Sequence, residues 1–429
     1  MNKALAMCAL AAAVAASGAA RAEVPVVKTE DAELNVGGMI QVLGFGQKLD
    51  DPYKNDARTY LFMKAGRLRV SGRYDQVSFY SELALGGEDA IAATTGVSLG
   101  LLDFYFNIPL FSSKTTYVKV GQFKVPYGRE GLTYDAYTQF GDTSIDYAGF
   151  KVGRDVGLAI VSKPGPMTLI AGVFTGGGRD VPPQHYLPEK IGVPMLVARV
   201  GIGDVDDDPF ILHADGAESK GISQMKGAFF VNALYTKDSL VGHSTVLNVK
   251  LIDKSLLIDS NWNPYIAQAP FDQGTLAQVG ADAAVRVPMG AATLAGEAEF
   301  NWGKYANKFG SVEMSGLRAQ GGVLFDDFLV GARYVLLRPD GQFNYKGTQV
   351  TGGQPIHEFT PGATWFLKGE RLKIVAELPI LFQAPVFTEK NVGAYVGTEL
   401  PGETSVLANG GTSTRQNIVE GRLMLQAQF

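Results

Sequence analysis

The sequence predicts an all-β transmembrane protein, an antiparallel β-barrel that spans a lipid bilayer. Apolar and polar residues alternate along segments of roughly 10 to 14 residues, which are longer than the usual strands of soluble sheets. Short turns and long polar links alternate between these segments, as they do in barrels that cross membranes. Because lipid offers no hydrogen-bonding partner to a backbone, a spanning sheet must close on itself.

The alternation is clearest in the last segment of the chain. Val419, Leu423 and Phe429 share one face of a strand, and Glu420 and Arg422 share the other. A period of two residues indicates a strand with one apolar and one polar face. We expect the apolar face of such a strand to contact lipid and its polar face to contact the water of the lumen.

The composition excludes several other classes of protein. The chain has 429 residues, of which 52 are Gly and only one is Cys, and its formal net charge is −5. One Cys excludes a disulfide framework and a Cys-based zinc site. The net negative charge argues against a nucleic-acid partner. The four His residues lack metal-ligand spacing, so we predict no enzyme, no catalytic residue, no metal and no cofactor.

The first 22 residues are predicted to be a cleaved signal peptide. Lys3 gives a positive start, Ala4–Ala16 is an apolar run, and Ala20-Arg21-Ala22 fits a small-x-small cleavage pattern. We expect a short periplasmic segment over residues 23–33. The transmembrane barrel is expected over residues 34–429, with residues 126–153 as a constricting loop.

The alternating segments leave two possible strand counts for the barrel. About 17 segments are candidates, whereas a single-chain bacterial barrel has an even number of strands. The preferred count is 16, in which Gly176–Lys226 is one external loop and Met195–Gly201 does not span. The alternative count is 18, in which Met195–Gly201 spans and a further strand lies within Ser255–Ile266.

Basic residues on the inward-facing parity are candidates for the pore lining. Arg67, Arg69 and Arg73 project from one face of a single strand. Neighbours on one face of a strand lie roughly 7 Å apart, so these arginines are predicted to form a cationic stripe. Arg286, Arg318 and Arg333 also have the inward parity. Acidic residues are equally numerous on this face, so the lumen is expected to be nearly neutral overall.

The run Val118–Glu130, with the sequence VKVGQFKVPYGRE, resembles a segment of the phosphate-selective porin O and P family. Arg67–Gly72, Arg154–Leu158 and Leu169–Gly176 resemble the neighbouring strands of that family. The resemblance covers roughly Arg67 to Gly178. It implies a 16-stranded trimeric porin whose third loop folds into the lumen. The terminal Phe429 is similar to that of most outer-membrane barrels, in which it serves recognition by the barrel-assembly machinery.

The predicted constriction loop departs from that family. The family often carries a Phe-Met-Glu-Arg-like stretch, whereas Gln139–Thr143 contains no Arg. A phosphate filter needs closely spaced cations on the constricting element. The charged residues of the loop are two basic and four acidic: Arg129, Lys151, Glu130, Asp135, Asp142 and Asp146. We therefore expect weak anion preference at most, from a transverse field between the arginine stripe and the acidic loop.

The expected function is that of a porin of the bacterial outer membrane, a water-filled channel for passive diffusion of small hydrophilic solutes and ions, with anions and phosphate among the candidates. The alternative is a structural, adhesive or enzymatic barrel. The expected partners are further copies in a homotrimer, outer-membrane lipid and lipopolysaccharide, the barrel-assembly machinery and the permeating solutes.

An acidic cluster at Asp204–Asp208 leaves two interpretations open. It is a calcium site or a solvated acidic loop. Pro209 stands where a calcium loop needs Gly.

Overall fold

The structure is a computed structural model, and it describes most of the chain after residue 22. The described residues are 23–48, 57–87, 99–111, 113, 115–150, 152–176, 178–179, 193–203, 222, 224–237, 275–307, 310–345, 348–351, 355–389, 393–396 and 412–429. The predicted signal peptide, Lys151, Asp204–Asp208 and Ser255–Ile266 lie outside these ranges.

The described residues form one large antiparallel sheet and three short helices. The strands are β1 Glu23–Lys28, β2 Ala32–Lys48, β3 Ala57–Tyr74, β4 Val77–Gly87, β5 Gly100–Pro109, β6 Thr116–Lys124, β7 Arg154–Ser162, β8 Met167–Phe174, β9 Val193–Gly203, β10 Lys226–Lys237, β11 Thr275–Met289, β12 Ala292–Asn307, β13 Gly310–Phe325, β14 Phe328–Tyr345, β15 Thr348–Thr351, β16 Ile356–Glu370, β17 Leu372–Glu377, β18 Ile380–Glu389, β19 Gly393–Val396 and β20 Thr412–Gln428. The helices are α1 Arg129–Leu132, a 3-10 helix Asp135–Tyr137 and α2 Ile145–Phe150. Among the described residues, no helix is long and apolar enough to cross a membrane.

The sheet closes into a barrel through its first and last wall strands. β2 pairs with β20 from Met39 opposite Gln428 to Gln47 opposite Glu420. β17 and β18 are two segments of one wall strand, since both pair with β16 and with β20. β1, β15 and β19 are short additions that pair with β2, β14 and β18 respectively. The wall therefore has 16 strands, as predicted.

The route to that count differs from the prediction, because Met195–Gly201 does span. It lies in β9, which pairs with β8 through Phe174 and Met195 and with β10 through Val197 and Leu234. The prediction of one loop over Gly176–Lys226 is therefore wrong. β9 is a short alternating run between two long links, so its pattern looked like part of a loop.

β10 pairs directly with β11 along its whole length, from Lys226 opposite Arg286 to Lys237 opposite Thr275. No strand separates these two neighbours in the wall. The alternative of 18 strands, which needs a further strand from Ser255–Ile266, is excluded by this pairing.

The outer face of the wall is apolar. In β20, Val419, Leu423 and Leu425 are about half exposed, whereas Arg422 and Met424 are buried toward the lumen. Transfer of each large apolar side chain from water into hydrocarbon contributes about 1.5–3 kcal/mol. A continuous band of such residues makes lipid the favourable surroundings for this surface.

Aromatic side chains mark one level of the outer face. Trp365 stacks on Phe328 with ring centroids 5.6 Å apart, and both rings are exposed. Tyr80 and Tyr105 also stack on each other, with ring centroids 5.3 Å apart, but they face the lumen. They share the parity of Glu82 and Asp103, which are buried on the inner face.

Candidate functional site: the constriction loop inside the barrel

The connection between β6 and β7 folds into the barrel and carries all three described helices. Its neck is closed by a hydrogen bond from the Val125 amide to the Gly153 carbonyl, 2.9 Å long. Leu132, Ala136 and Phe140 within the loop are at most 3% exposed. A surface loop would leave such side chains in water, so this segment packs against the inner wall. We call residues 126–153 the constriction loop.

Gly128 sets the turn by which the loop enters the lumen. Its φ is 71°, a conformation that favours glycine. A Cβ atom there would lie 2.5 Å from Oε1 of Glu299 on the wall. The Gly128 amide donates to Oδ1 of Asn232, 3.2 Å away. Glycine therefore allows the backbone to pass close to the wall of β10 and β12.

A first charged cluster joins the loop to β3 and β4. Arg67 pairs with Asp135 of the loop, and its guanidinium lies 3.8 Å from Glu82. The Tyr134 hydroxyl donates to Glu82 at 2.6 Å, and its ring lies 5.2 Å from the guanidinium of Arg69. Burial alone would raise the pKa of Asp135, but Arg67 and the neighbouring cations hold it well below its usual range.

A second cluster depends on a β-bulge at Lys64. The register between β2 and β3 shifts between Gln41 and Val42, which leaves Lys64 as the extra residue. A bulge re-aims side chains, and Lys64 reaches Asp142 of the loop at 2.9 Å and also donates to the Gly141 carbonyl. Burial would raise the pKa of Asp142, yet Lys64 and Arg422 hold it well below its usual range.

A third cluster surrounds α1 on the opposite wall. Arg318 of β13 pairs with Glu297 at 2.5 Å, with Glu299 at 3.1 Å and with Glu130 of the loop at 3.4 Å. Arg129 of the loop donates to Glu297 at 2.8 Å. Arg333 of β14 pairs with Glu358 at 2.7 Å. This network of charges ties the loop to β12, β13, β14 and β16.

The wall also binds the backbone of the loop. Cationic wall groups donate to loop carbonyls: Lys124 to Thr133, Lys373 to Thr138, and Arg333 to Asp142 and Thr143. Wall carboxylates accept from loop amides: Glu299 from Glu130, Glu377 from Gly141, and Glu358 from Ile145. Much of the polarity of the inner wall therefore serves to hold this loop.

The buried charges are balanced in number. Among the described residues, ten cationic and ten anionic side chains are buried. The cations are Arg67, Arg69, Lys119, Arg129, Arg199, Arg286, Arg318, Arg333, Lys373 and Arg422, and the anions are Glu82, Asp103, Asp146, Asp155, Asp282, Glu297, Glu299, Glu358, Glu377 and Glu420. This balance agrees with the nearly neutral lumen expected from the sequence.

The predicted arginine stripe is divided in the structure. Arg67 and Arg69 are buried beneath the constriction loop. Arg73 is exposed at the rim that carries the short turns, where it donates to the carbonyls of Asp75 and Glu30. Arg286 is buried on β11. The loop acids do not face the stripe across an open space, because Asp135 contacts Arg67 directly.

Sequence reasoning missed a buried ion pair on the wall. Arg199 of β9 donates two hydrogen bonds to Asp282 of β11, 2.6 and 2.9 Å long, across the intervening β10. The guanidinium also lies 4.4 Å from the Phe230 ring. The prediction that Met195–Gly201 lies in a loop excludes Arg199 from the wall. The alternating pattern of MLVARVG was the signal that could have found it.

Among the described residues, no group of three or more His, Cys, Asp and Glu side chains is arranged to hold a metal ion. The loop–wall clusters instead pair carboxylates with arginine and lysine. Such an arrangement can fix a loop and shape a polar passage, and it presents no nucleophile activated by a base.

A closed 16-stranded barrel with a connecting loop folded into its lumen is the architecture of porins. The solved structure of an anion-selective porin from Comamonas acidovorans is 13% identical, with a TM-score of 0.53 over 93% of this chain and 100% of that chain. The trimer form of OmpT from Vibrio cholerae is 11% identical, with a TM-score of 0.52 over 93% of this chain and 100% of that chain. At such identities the likeness concerns the fold.

A match to a sequence family is confined to the first strands of the barrel. Residues 36–185 match the model of the family described as phosphate-selective porin O and P. The matched range includes β2 to β8 and the constriction loop, so the resemblance drawn from Val118–Glu130 is confirmed. No curated protein sequence matches the chain.

Proposed function

We propose that this protein is a porin of the bacterial outer membrane that lets small hydrophilic solutes and ions diffuse passively across it. The observation that carries the proposal is the constriction loop, which is held inside a closed barrel by charged side chains of the wall. A polar, charged interior beneath an apolar exterior suits a passage for hydrophilic solutes through lipid.

The proposed selectivity is weak. A strong anion filter presents several cations whose charge is not already neutralised. Here Arg67, Arg318 and Arg333 each contact at least one carboxylate, and buried cations and anions are equal in number. We therefore propose weak anion preference at most and no tight binding of phosphate, despite the family that the first strands resemble.

Planar-bilayer recording of the purified protein tests both statements. We expect discrete conductance steps and, in a potassium chloride gradient, a small reversal potential. Inorganic phosphate at micromolar concentration is expected to leave the chloride current unchanged. Absence of conductance would refute the channel, whereas block by micromolar phosphate would refute the weak selectivity alone.

We also propose a homotrimer. The support is the fold shared with OmpT of Vibrio cholerae, whose solved structure is described as a trimer form. An unboiled sample in detergent gel electrophoresis should run near three times the monomer mass and collapse to the monomer on heating. Mass photometry in mild detergent that shows only monomers would contradict this assembly.

A further inference from the structure

Asp146 of the constriction loop occupies a notch in the inner wall. It lies in the first turn of α2 and is 1% exposed. A Cβ atom on Gly316 of β13 would come 1.6 Å from Oδ1 of Asp146. Gly316 and Gly280 flank Asn301 on its two neighbouring strands. The wall is reduced to backbone at both positions, and the carboxyl group fills the space beside Gly316.

The carboxyl group in this notch forms no ion pair with any of the residues that the structure describes. Asn301 donates from Nδ2 to Asp146 at 2.9 Å and to Glu299 at 3.1 Å, so one amide bridges two carboxyl groups. Oδ1 of Asp146 has no hydrogen-bond partner among the described residues. Arg318, the nearby cation, is already paired with Glu297, Glu299 and Glu130.

The two other aspartates of the loop each have a cationic partner. Asp135 contacts Arg67 and Asp142 contacts Lys64, so both favour the ionised form. A buried carboxyl group beside a second carboxyl group favours the protonated form. Burial and the neighbouring Glu299 accordingly raise the pKa of Asp146 well above its ordinary value.

We propose that Asp146 is a positioning residue that latches the constriction loop onto β12 and β13 only while its carboxyl group is protonated. The inference rests on the proposed channel function, because displacement of the loop changes the conducting pathway. A neutral carboxyl group fits the notch beside Asn301 and Glu299, whereas an ionised one is repelled by Glu299.

The direction of the pH effect follows from linkage. The docked loop raises the pKa of Asp146, and the released loop returns it toward about 3.9, its ordinary value. Docking of the loop is strongest at low pH, where Asp146 is protonated in both the docked and the released loop. Docking weakens as the pH rises from the ordinary pKa of Asp146 to its raised pKa in the docked loop. The loop is therefore released by increasing pH, and conductance rises.

The remaining groups around Asp146 set the useful pH range. Glu130, whose pKa burial also raises despite Arg318 and Arg333, acts in the same direction. The buried Tyr127, whose pKa is raised by burial and by Glu299 and Asp146, stays neutral. Asp135 and Asp142, whose pKa values the docked loop lowers, oppose the effect only between those lowered values and their ordinary value of about 3.9. The series runs from about pH 5 to 9. Comparison with Asp146→Asn at each pH separates the latch from the other contacts of the loop that respond to pH, including those of the wall cations Lys124 and Lys373.

The first test is the variant Asp146→Asn, recorded in planar bilayers across that range. The wild type is expected to conduct more at high pH, and the variant to lose this rise, because an amide is neutral at every pH. Glu313→Gln is the matched control, since Glu313 is an exposed acid paired with Lys304 outside the loop. A variant Asp146→Asn that keeps the wild-type pH profile would overturn the proposal.

The second test is steric. Gly316→Ala places a methyl group where Oδ1 of Asp146 lies, so the loop should be displaced and conductance high at every pH. Gly296→Ala on β12 is the control, because its Cβ would meet its nearest neighbour at an ordinary 3.7 Å. A folded Gly316→Ala barrel with wild-type conductance would contradict the latch.

The third test reads the position of the loop without any current. The only Cys of the chain is Cys8, within the predicted signal peptide, so Ser144→Cys would introduce the single thiol of the mature protein. Ser144 is 0% exposed beside Asp146. The measured quantity is the rate at which a membrane-impermeant maleimide labels this thiol, corrected with a free-thiol standard for the thiolate fraction at each pH. We expect the corrected rate to increase with pH in the Ser144→Cys protein. The increase should be lost when Asp146→Asn is added. A corrected labelling rate that does not change with pH would overturn the latch. A rate that increases with pH in a protein that shows no conductance would overturn only the channel function.

Discussion

Arg67 of β3 forms an ion pair with Asp135 of the constriction loop, and the same guanidinium lies 3.8 Å from Glu82 on β4. One cation therefore serves two carboxylates, one on the wall and one on the loop. Arg67 is 3% exposed whereas Asp135 is 29% exposed, so the buried member of the pair is the guanidinium. A buried ion that loses its partners destabilises the fold by more than the ion pair itself contributes. Arg67 therefore supports the loop as well as lining the lumen.

Replacement of Arg67 by Ser should shift selectivity toward cations. Asp135 and Glu82 would lose their shared countercharge while the rest of the wall is unchanged. Reversal potential in a potassium chloride gradient measures the shift. The control is Arg73→Ser, because Arg73 is exposed at the rim and bonds only backbone carbonyls in the described contacts. Equal shifts in both variants would contradict a special role for Arg67.

Replacement of Lys64 by Met should loosen the constriction loop. Lys64 donates to the Gly141 carbonyl and to Asp142, so its removal takes a donor away from both acceptors. A buried acceptor that loses its hydrogen-bond donor destabilises the fold by about 1–3 kcal/mol. We expect larger open-channel current noise in planar bilayers. Lys304→Met is the comparison, because Lys304 and its partner Glu313 are more than 40% exposed, and such surface pairs contribute about 0–1 kcal/mol. Current noise in Lys64→Met that is no larger than in Lys304→Met would contradict the role of Lys64 in holding the loop.

The inward parity of Arg318 and Arg333 could be predicted from sequence because a period of two survives in any regular strand. Lys64 could not, because a bulge inserts one residue and changes the parity locally. The partners of the loop were also out of reach. Arg129 binds Glu297, 168 residues later, and no local pattern encodes which wall residue meets which loop residue. β9 was missed because a long link follows it at a rim where other links are short.

The ion pair of Arg199 and Asp282 gives a test of the β9 assignment. Both side chains are 1% exposed, so Arg199→Leu leaves a buried carboxylate without its partner at a cost of about 3–5 kcal/mol. The double variant Arg199→Leu/Asp282→Leu should recover much of this loss, because two apolar residues replace the pair. Urea titration of the folded barrel, followed by tryptophan fluorescence, measures both. A harmless Arg199→Leu would place this residue outside the wall.

Phe429 closes the barrel at the junction of β2 and β20. Its amide donates to the Gly38 carbonyl at 3.0 Å, and its carbonyl accepts from the Gly38 amide at 2.9 Å. Deletion of Phe429 should slow membrane insertion and lower abundance in the outer membrane while export continues. Fractionation with quantitative immunoblotting measures this, and normal abundance of the deletion variant would refute it.

Gly38→Val separates the structural role of Phe429 from its role as an assembly signal. A Cβ atom at Gly38 would come 2.6 Å from the Phe429 ring, so the substitution displaces the ring while the C-terminal residue remains. If recognition dominates, Gly38→Val should insert at nearly the wild-type rate and lose only stability to heat. If closure of the barrel dominates, its abundance should fall as far as in the deletion. We expect the first outcome, because the displaced ring still presents the terminal aromatic residue to the assembly machinery before the barrel closes.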